Sequence, residues 1–147
     1  MNRSKRPRGA AALRIGIAAC VLAACNAMQG TTSGTALSAS DWKLVELNGT
    51  PAVPVDIAGR PWLRFVADSN RVVGFGGCNS MSGLFTRDGG ELRFGALAST
   101  RRACADQALN QQEQAFGAAL ADIDRFEIVN GRLKLLRGSR TVAELTH

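Results

Sequence analysis

Residues 125–136 read RFEIVNGRLKLL. In Arg125-Phe126-Glu127-Ile128 and again in Arg132-Leu133-Lys134-Leu135, charged and apolar residues alternate strictly. Side chains on a β-strand point to opposite faces in turn, so this alternation places one face on a core and the other in water, as in antiparallel sheets. Asn130-Gly131 lies between the two runs and supplies the pair that tolerates positive φ in a tight hairpin.

The same signals recur upstream. Glu91-Leu92-Arg93-Phe94 alternates in the same way, and Asn48-Gly49 and Asp88-Gly89 offer two more hairpin turns. Further strands are expected at 42–47, 62–66, 71–76, 84–86 and 140–145. Within 42–47 the apolar parity changes, because Trp42 and Leu44 share one side while Val45 and Leu47 share the other. A bulge or a strong twist accounts for such a switch.

One segment has a different period. Leu109, Phe116, Leu120 and Ile123 fall within about a 60° stripe at 100° per residue, flanked by Ala115 and Ala119. This predicts a helix over 107–123, capped by Asp106, whose carboxylate accepts an orphan amide proton of the first turn. The stripe is expected to lie on the concave face of the sheet, although a partner-binding face has the same pattern. The fold class is α+β.

The chain has 18 basic and 12 acidic side chains, for a formal charge of +6. Five of the bases (Arg3, Lys5, Arg6, Arg8 and Arg14) lie in residues 1–24, which contain no acid. The remainder is close to neutral and its charges are interspersed, which argues against a nucleic-acid partner. The cationic MNRSKRPR precedes an apolar run from Ile15 to Ala24 that is too short to span a bilayer. The run ends in Leu22-Ala23-Ala24-Cys25, which closely resembles a bacterial lipobox. That resemblance implies cleavage before Cys25 and attachment of diacylglycerol to its sulfur, with palmitate among the acyl chains. Ile17-Ala18-Ala19-Cys20 is a weaker competitor, since cleavage there shortens the apolar run, and an ordinary secretory signal cut nearby is the plainer alternative. By resemblance to the sorting rule of diderm bacteria, Asn26 in place of Asp directs the protein to the outer membrane, on its periplasmic face.

The organisation expected is therefore a lipoprotein signal peptide at 1–24, a lipidated cysteine and flexible tether at 25–40, and a folded domain at 41–147. The tether, rich in small and polar residues, spans about 20 Å as a coil. Two or three acyl chains hold such a domain firmly at a membrane, at about 0.8 kcal/mol per buried methylene.

Cys78 and Cys104 then remain as an even pair in an exported domain, the usual setting of a disulfide. Two buried free thiols are the alternative. A catalytic thiol is disfavoured, because the one histidine of the chain is the final residue, His147. The same scarcity disfavours a metal site, and no cofactor is expected. Ser80, Ser82 and Ser99 have no base suggested by the sequence, and Gly74, Gly76 and Gly77 suit a bulge or a close backbone approach but not a phosphate loop.

Gly77-Cys78-Asn79 followed by Gly83, then Ala98-Ser99-Thr100-Arg101-Arg102-Ala103-Cys104, resembles the META domain, also called HslJ-like, over residues 41–147. Two positions depart from the family pattern: Phe85 stands where a tyrosine is common, and Arg102 where methionine is. The resemblance implies a small, strongly curved antiparallel sheet, a partly open barrel-like meander, with one helix. It also implies an envelope lipoprotein associated with heat-shock and antibiotic stress, and it implies no shared enzymatic activity; no enzyme is expected. Asn79, Arg101 and Arg102 are the candidate contacts to a partner. Their plainer roles are a loop-stabilising amide for Asn79 and a solvated pair for the arginines. Two functions fit. One is a non-catalytic module that binds an apolar ligand or an envelope protein in a groove between helix and sheet, lined by aliphatic residues and Phe. The other is an inhibitor that inserts an exposed loop at 77–83 into a cell-wall hydrolase.

Overall fold

The computed structural model describes residues 34–38, 40–56 and 59–147. Cys25 and the leader lie outside the described residues. The chain folds as α1 (Gly34–Leu37), β1 (Trp42–Leu47), β2 (Thr50–Pro51), β3 (Trp62–Phe65), β4 (Arg71–Phe75), β5 (Ser80–Asp88), β6 (Glu91–Phe94), β7 (Ala98–Ser99), α2 (Gln107–Asp122), β8 (Arg125–Val129), β9 (Arg132–Arg137) and β10 (Arg140–Thr146). Every pairing is antiparallel, so the α+β class and the strongly curved sheet stand.

The curvature goes to closure. Eight strands run in the order β1–β3–β4–β5–β6–β8–β9–β10, and β10 pairs back onto β1 to complete a barrel. β2 and β7 are short additions on β1 and β5. The partly open character is confined to one seam. β6 and β8 share a single register pair, Glu91↔Arg125, supplemented by the bonds Leu92 N–H to Asp124 O and Phe126 N–H to Gly90 O.

The local signals act as expected at most turns. Asn48 and Gly49 have φ of 50° and 79°, and Asn130 and Gly131 have 51° and 73°, as a tight hairpin of this hand requires. The parity switch in β1 is a register shift between Leu44 and Glu46, so Trp42, Leu44 and Leu47 all turn inward. At the third turn the expectation was one residue early. Asp88 pairs with Glu91, and Gly89-Gly90 is the two-residue loop.

Antiparallel alternation sorts the connections to two ends of the barrel. The hairpins at 66–70, 89–90 and 130–131, together with the start of β1 and the end of β10, lie at one end. The turn at 48–49, the 76–79 loop, the β9–β10 turn and α2 lie at the other. α2 spans that second end. It packs against β6 and β10, and Asp106 caps it by accepting from Ala108 N–H and Leu109 N–H. Phe116, Leu120 and Ile123 enter the core as the stripe predicts, while Leu109 stays half-buried at the first turn.

The first end holds an element the sequence reading had assigned to the tether. α1 is a single turn, and Leu37 is 1% exposed within the core. The indole N–H of Trp42 donates to Leu37 O at 2.7 Å. Folded structure therefore precedes Asp41, because one leucine and one backbone carbonyl find partners under the barrel rim. Trp42 also meets the ring of His147 edge to face, 5.5 Å between centroids. The final histidine thus lies exposed against the Trp42 indole, at the end opposite α2.

Candidate functional site

The loop between β4 and β5 is drawn down onto α2 by one carboxylate. Glu113 Oε2 accepts from the backbone N–H groups of Cys78 at 2.9 Å and Asn79 at 2.7 Å. Its Oε1 accepts from Asn79 Nδ2 at 2.5 Å. The loop closes on itself through Gly76 N–H to Asn79 O at 2.8 Å. Gly76 is required for this approach, since a Cβ there would lie 2.7 Å from Glu113 Cγ and from Oε2. Gly77 has φ of 121°, outside the range comfortable for other residues.

Asn79 carries the network on to the 98–104 segment. Its Oδ1 accepts from Thr100 Oγ1 at 2.8 Å and Arg102 N–H at 2.7 Å, while Nδ2 also reaches Arg102 O at 3.2 Å. The side chain is 5% exposed with both ends of its amide bonded within the chain. Asn79 therefore acts as the loop-stabilising amide and is not presented to a partner. Cys78 and Cys104 are joined in a disulfide, Cα atoms 5.7 Å apart, which fastens the same two segments covalently. The GCN stretch and the TR-x-x-C stretch are thus one structural device: an internal knot with Glu113 at its centre.

Arg101 and Arg102 lie on the exposed side of this knot, and their guanidinium groups have no carboxylate partner among the described residues. Only the backbone of Arg102 joins the network, so a charge here leaves the packing undisturbed. The stretch 77–83, expected as one exposed loop, divides in two. Residues 77–79 form the clamped loop, and Ser80 to Gly83 belong to β5.

Two polar residues of α2 escaped the sequence reading. Glu113 is the centre of the knot. Gln112 is buried, with Oε1 accepting from Val53 N–H at 2.6 Å and Nε2 lacking a partner within the described residues. A signal for both was available. At 100° per residue Gln112 lies about 20° from Ile123 and Glu113 about 20° from Leu120, so both edge the apolar stripe.

Beside the knot a groove of about 380 Å³ runs between α2 and the 95–99 segment. Met81, Leu97, Ala118 and Ala121 form its apolar walls, and Ser99, Glu113 and Gln114 its polar margin. The groove between helix and sheet is where the sequence reading placed one, but small and aliphatic residues line it and no phenylalanine does. A polar cleft opens at the other end of the barrel, beneath the 66–70 hairpin, with Leu37 at its edge.

The outward face of β3 carries one more organised group. Arg64 is bonded through Nε and Nη2 to the two carboxylate oxygens of Asp41, and its Cζ stands 5.5 Å from the centroid of the Trp62 ring. Hydrogen bonding from Arg64 holds the Asp41 carboxyl below its ordinary range against a smaller desolvation effect, and the same bond raises Arg64.

Comparison with known proteins bears on the whole of this architecture. The META domain family model matches residues 35–147. A protein solved by NMR is 26% identical, with a TM-score of 0.59 over 74% of this chain and 90% of that one. An NMR structure of a protein from Burkholderia xenovorans is 24% identical, with a TM-score of 0.59 over 97% of this chain and 94% of that one, and supports the fold alone. No curated protein matches.

Proposed function

The chain belongs to the META domain family, and on that premise we propose that it is a non-catalytic binding module of the cell envelope. Acyl chains on Cys25 hold it at the periplasmic face of an outer membrane. There it binds an apolar, single-chain ligand and supports envelope integrity under heat or antibiotic stress.

The observation that carries this proposal is the groove between α2 and residues 95–99. Its volume of about 380 Å³ falls within the range of about 300–1,000 Å³ typical of small-molecule sites. Its walls reject water while Ser99 and Gln114 at the margin offer hydrogen bonds to a ligand's polar end. The serines support the non-catalytic part of the reading: the Ser99 hydroxyl donates to a backbone carbonyl, Thr100 O, and no histidine approaches it. The inhibitor alternative has less support, because half of its inserting loop is a strand and Asn79 is turned inward.

Gly117 gives a clean test. A Cβ built there meets nothing within 4 Å, so Gly117→Leu directs a side chain into the groove from an open position and removes a helix-weakening glycine. Dodecanoate titrated into a soluble fragment starting at Gly34 should shift amide resonances along α2 and 95–99, and Gly117→Leu should abolish the shifts while raising stability. Equal binding by wild type and variant, or binding by neither, would overturn the proposal.

A further inference from the structure

The outer face of an antiparallel barrel is ordinarily polar. Here one patch departs from that. Along the outward rungs, Trp62 pairs with Phe75 and then Ser80, while Arg64 pairs with Val73, then Ser82, then Ala98. A groove of about 580 Å³ lies across these strands, bounded by Trp62 and Arg71 and by Ser99 on β7. It meets the α2 groove at Met81 and Ser99 and otherwise has its own lining, and neither the clamp nor the disulfide needs an indole on this face.

We propose that this groove binds a short β-linked oligosaccharide, with Trp62 as the stacking platform. Four properties lead to that class of ligand. The indole is held in advance by the Asp41–Arg64 pair, so little side-chain freedom is lost when a guest arrives. The hydroxyls of Ser80 and Ser82 have no partner within the described residues, and the Ser99 hydroxyl donates internally but keeps lone pairs to accept. The guanidinium of Arg71 has no carboxylate partner among the described residues and borders the groove. Finally, the path from β3 across β4 and β5 to β7 covers three strand spacings, about 14 Å, which is longer than one pyranose ring.

These properties discriminate among ligands. A purely aliphatic guest would bury the hydroxyls without hydrogen bonds, at a cost of about 1–3 kcal/mol each. A phosphate would draw on Arg71 and leave the indole unused. A pyranose presents an apolar face of axial C–H groups to an indole and a rim of hydroxyls to serine and arginine, so of these three it is the one that uses every group present.

The two tryptophans make the test direct. Trp42 is 2% exposed in the core and silent to a surface ligand, whereas Trp62 is half-buried at the groove. The whole chain, extracted from its native membrane in a polyoxyethylene-ether detergent that carries no sugar, is titrated with chitotetraose and separately with cellotetraose while tryptophan emission is followed. Saturable change with either sugar supports the proposal; chitotetraose alone identifies an acetamido-reading site, and both identify a general pyranose site. Trp62→Ala should abolish binding measured by calorimetry, and the double variant Ser80→Ala, Ser82→Ala, which leaves the core untouched, should weaken it at least tenfold. Absence of saturable change with both sugars, or undiminished binding by the double serine variant, would overturn it.

Discussion

Removing the Glu113 carboxylate is the most informative perturbation of the knot. Three N–H groups converge on it, two from the backbone of Cys78 and Asn79 and one from the Asn79 amide. Hydrogen bonds to a charged group contribute about 1.5–3 kcal/mol each where desolvated. Glu113 is only half-buried, so water recovers part of the loss and the contributions of one network do not add. We expect Glu113→Ala to destabilise by about 3 kcal/mol, a large share of a stability typically near 5–15 kcal/mol. Glu113→Gln separates charge from shape. Its NH2 group must face either the backbone pair or Asn79 Nδ2, donor against donor. Asn79 cannot relieve this by turning over, because its Oδ1 already accepts from Thr100 and Arg102. That variant should lose about 1–2 kcal/mol. Urea unfolding followed by tryptophan emission, with the disulfide intact, measures both, and amide exchange at Cys78 and Asn79 should quicken in each. A loss under about 1 kcal/mol for Glu113→Ala, or a Glu113→Gln variant indistinguishable from wild type, would refute the clamp.

Other expectations concern single features. Reducing the Cys78–Cys104 bridge, which spans a separation of 26 residues, should lower stability by about 3.5 kcal/mol on the chain-entropy estimate, read as a shift in urea midpoint with and without reductant. Leu37→Ala should cost about 2–5 kcal/mol in the same assay if α1 seals the barrel, and nothing if residues 34–38 are a tether. Because Asp41 is lowered from 3.8 in the folded state, its contribution is complete above that value and is lost as pH falls through the lower folded one. Wild type should therefore lose slightly more stability than Asp41→Asn between neutral and strongly acid pH, with equal slopes refuting the pair.

What was legible depended on range. Short-period information in the chain predicted the hairpins at Asn48-Gly49 and Asn130-Gly131, the helix and its Asp106 cap, since each is decided by residues within one turn or one strand. The Asp88-Gly89 signal missed by one residue because a second glycine follows and shares the turn. Closure through β10 and β1 joins residues about a hundred positions apart, and no local pattern encodes such a pairing. Leu37 was hidden by its neighbours, whose small polar character is that of a linker. At the knot, the cysteines and Asn79 were visible as a motif, but their partner Glu113 lay in a run of glutamines that resembles a solvated helix face.

The entry of the chain beside Trp42 has a mechanical consequence. The N-terminal strand β1 is gripped on one side by β10 and on the other by β3. A pull directed along the axis of β1 loads its ladder rungs together in shear and does not peel them one by one. A barrel loaded along that line does not unravel from its first strand.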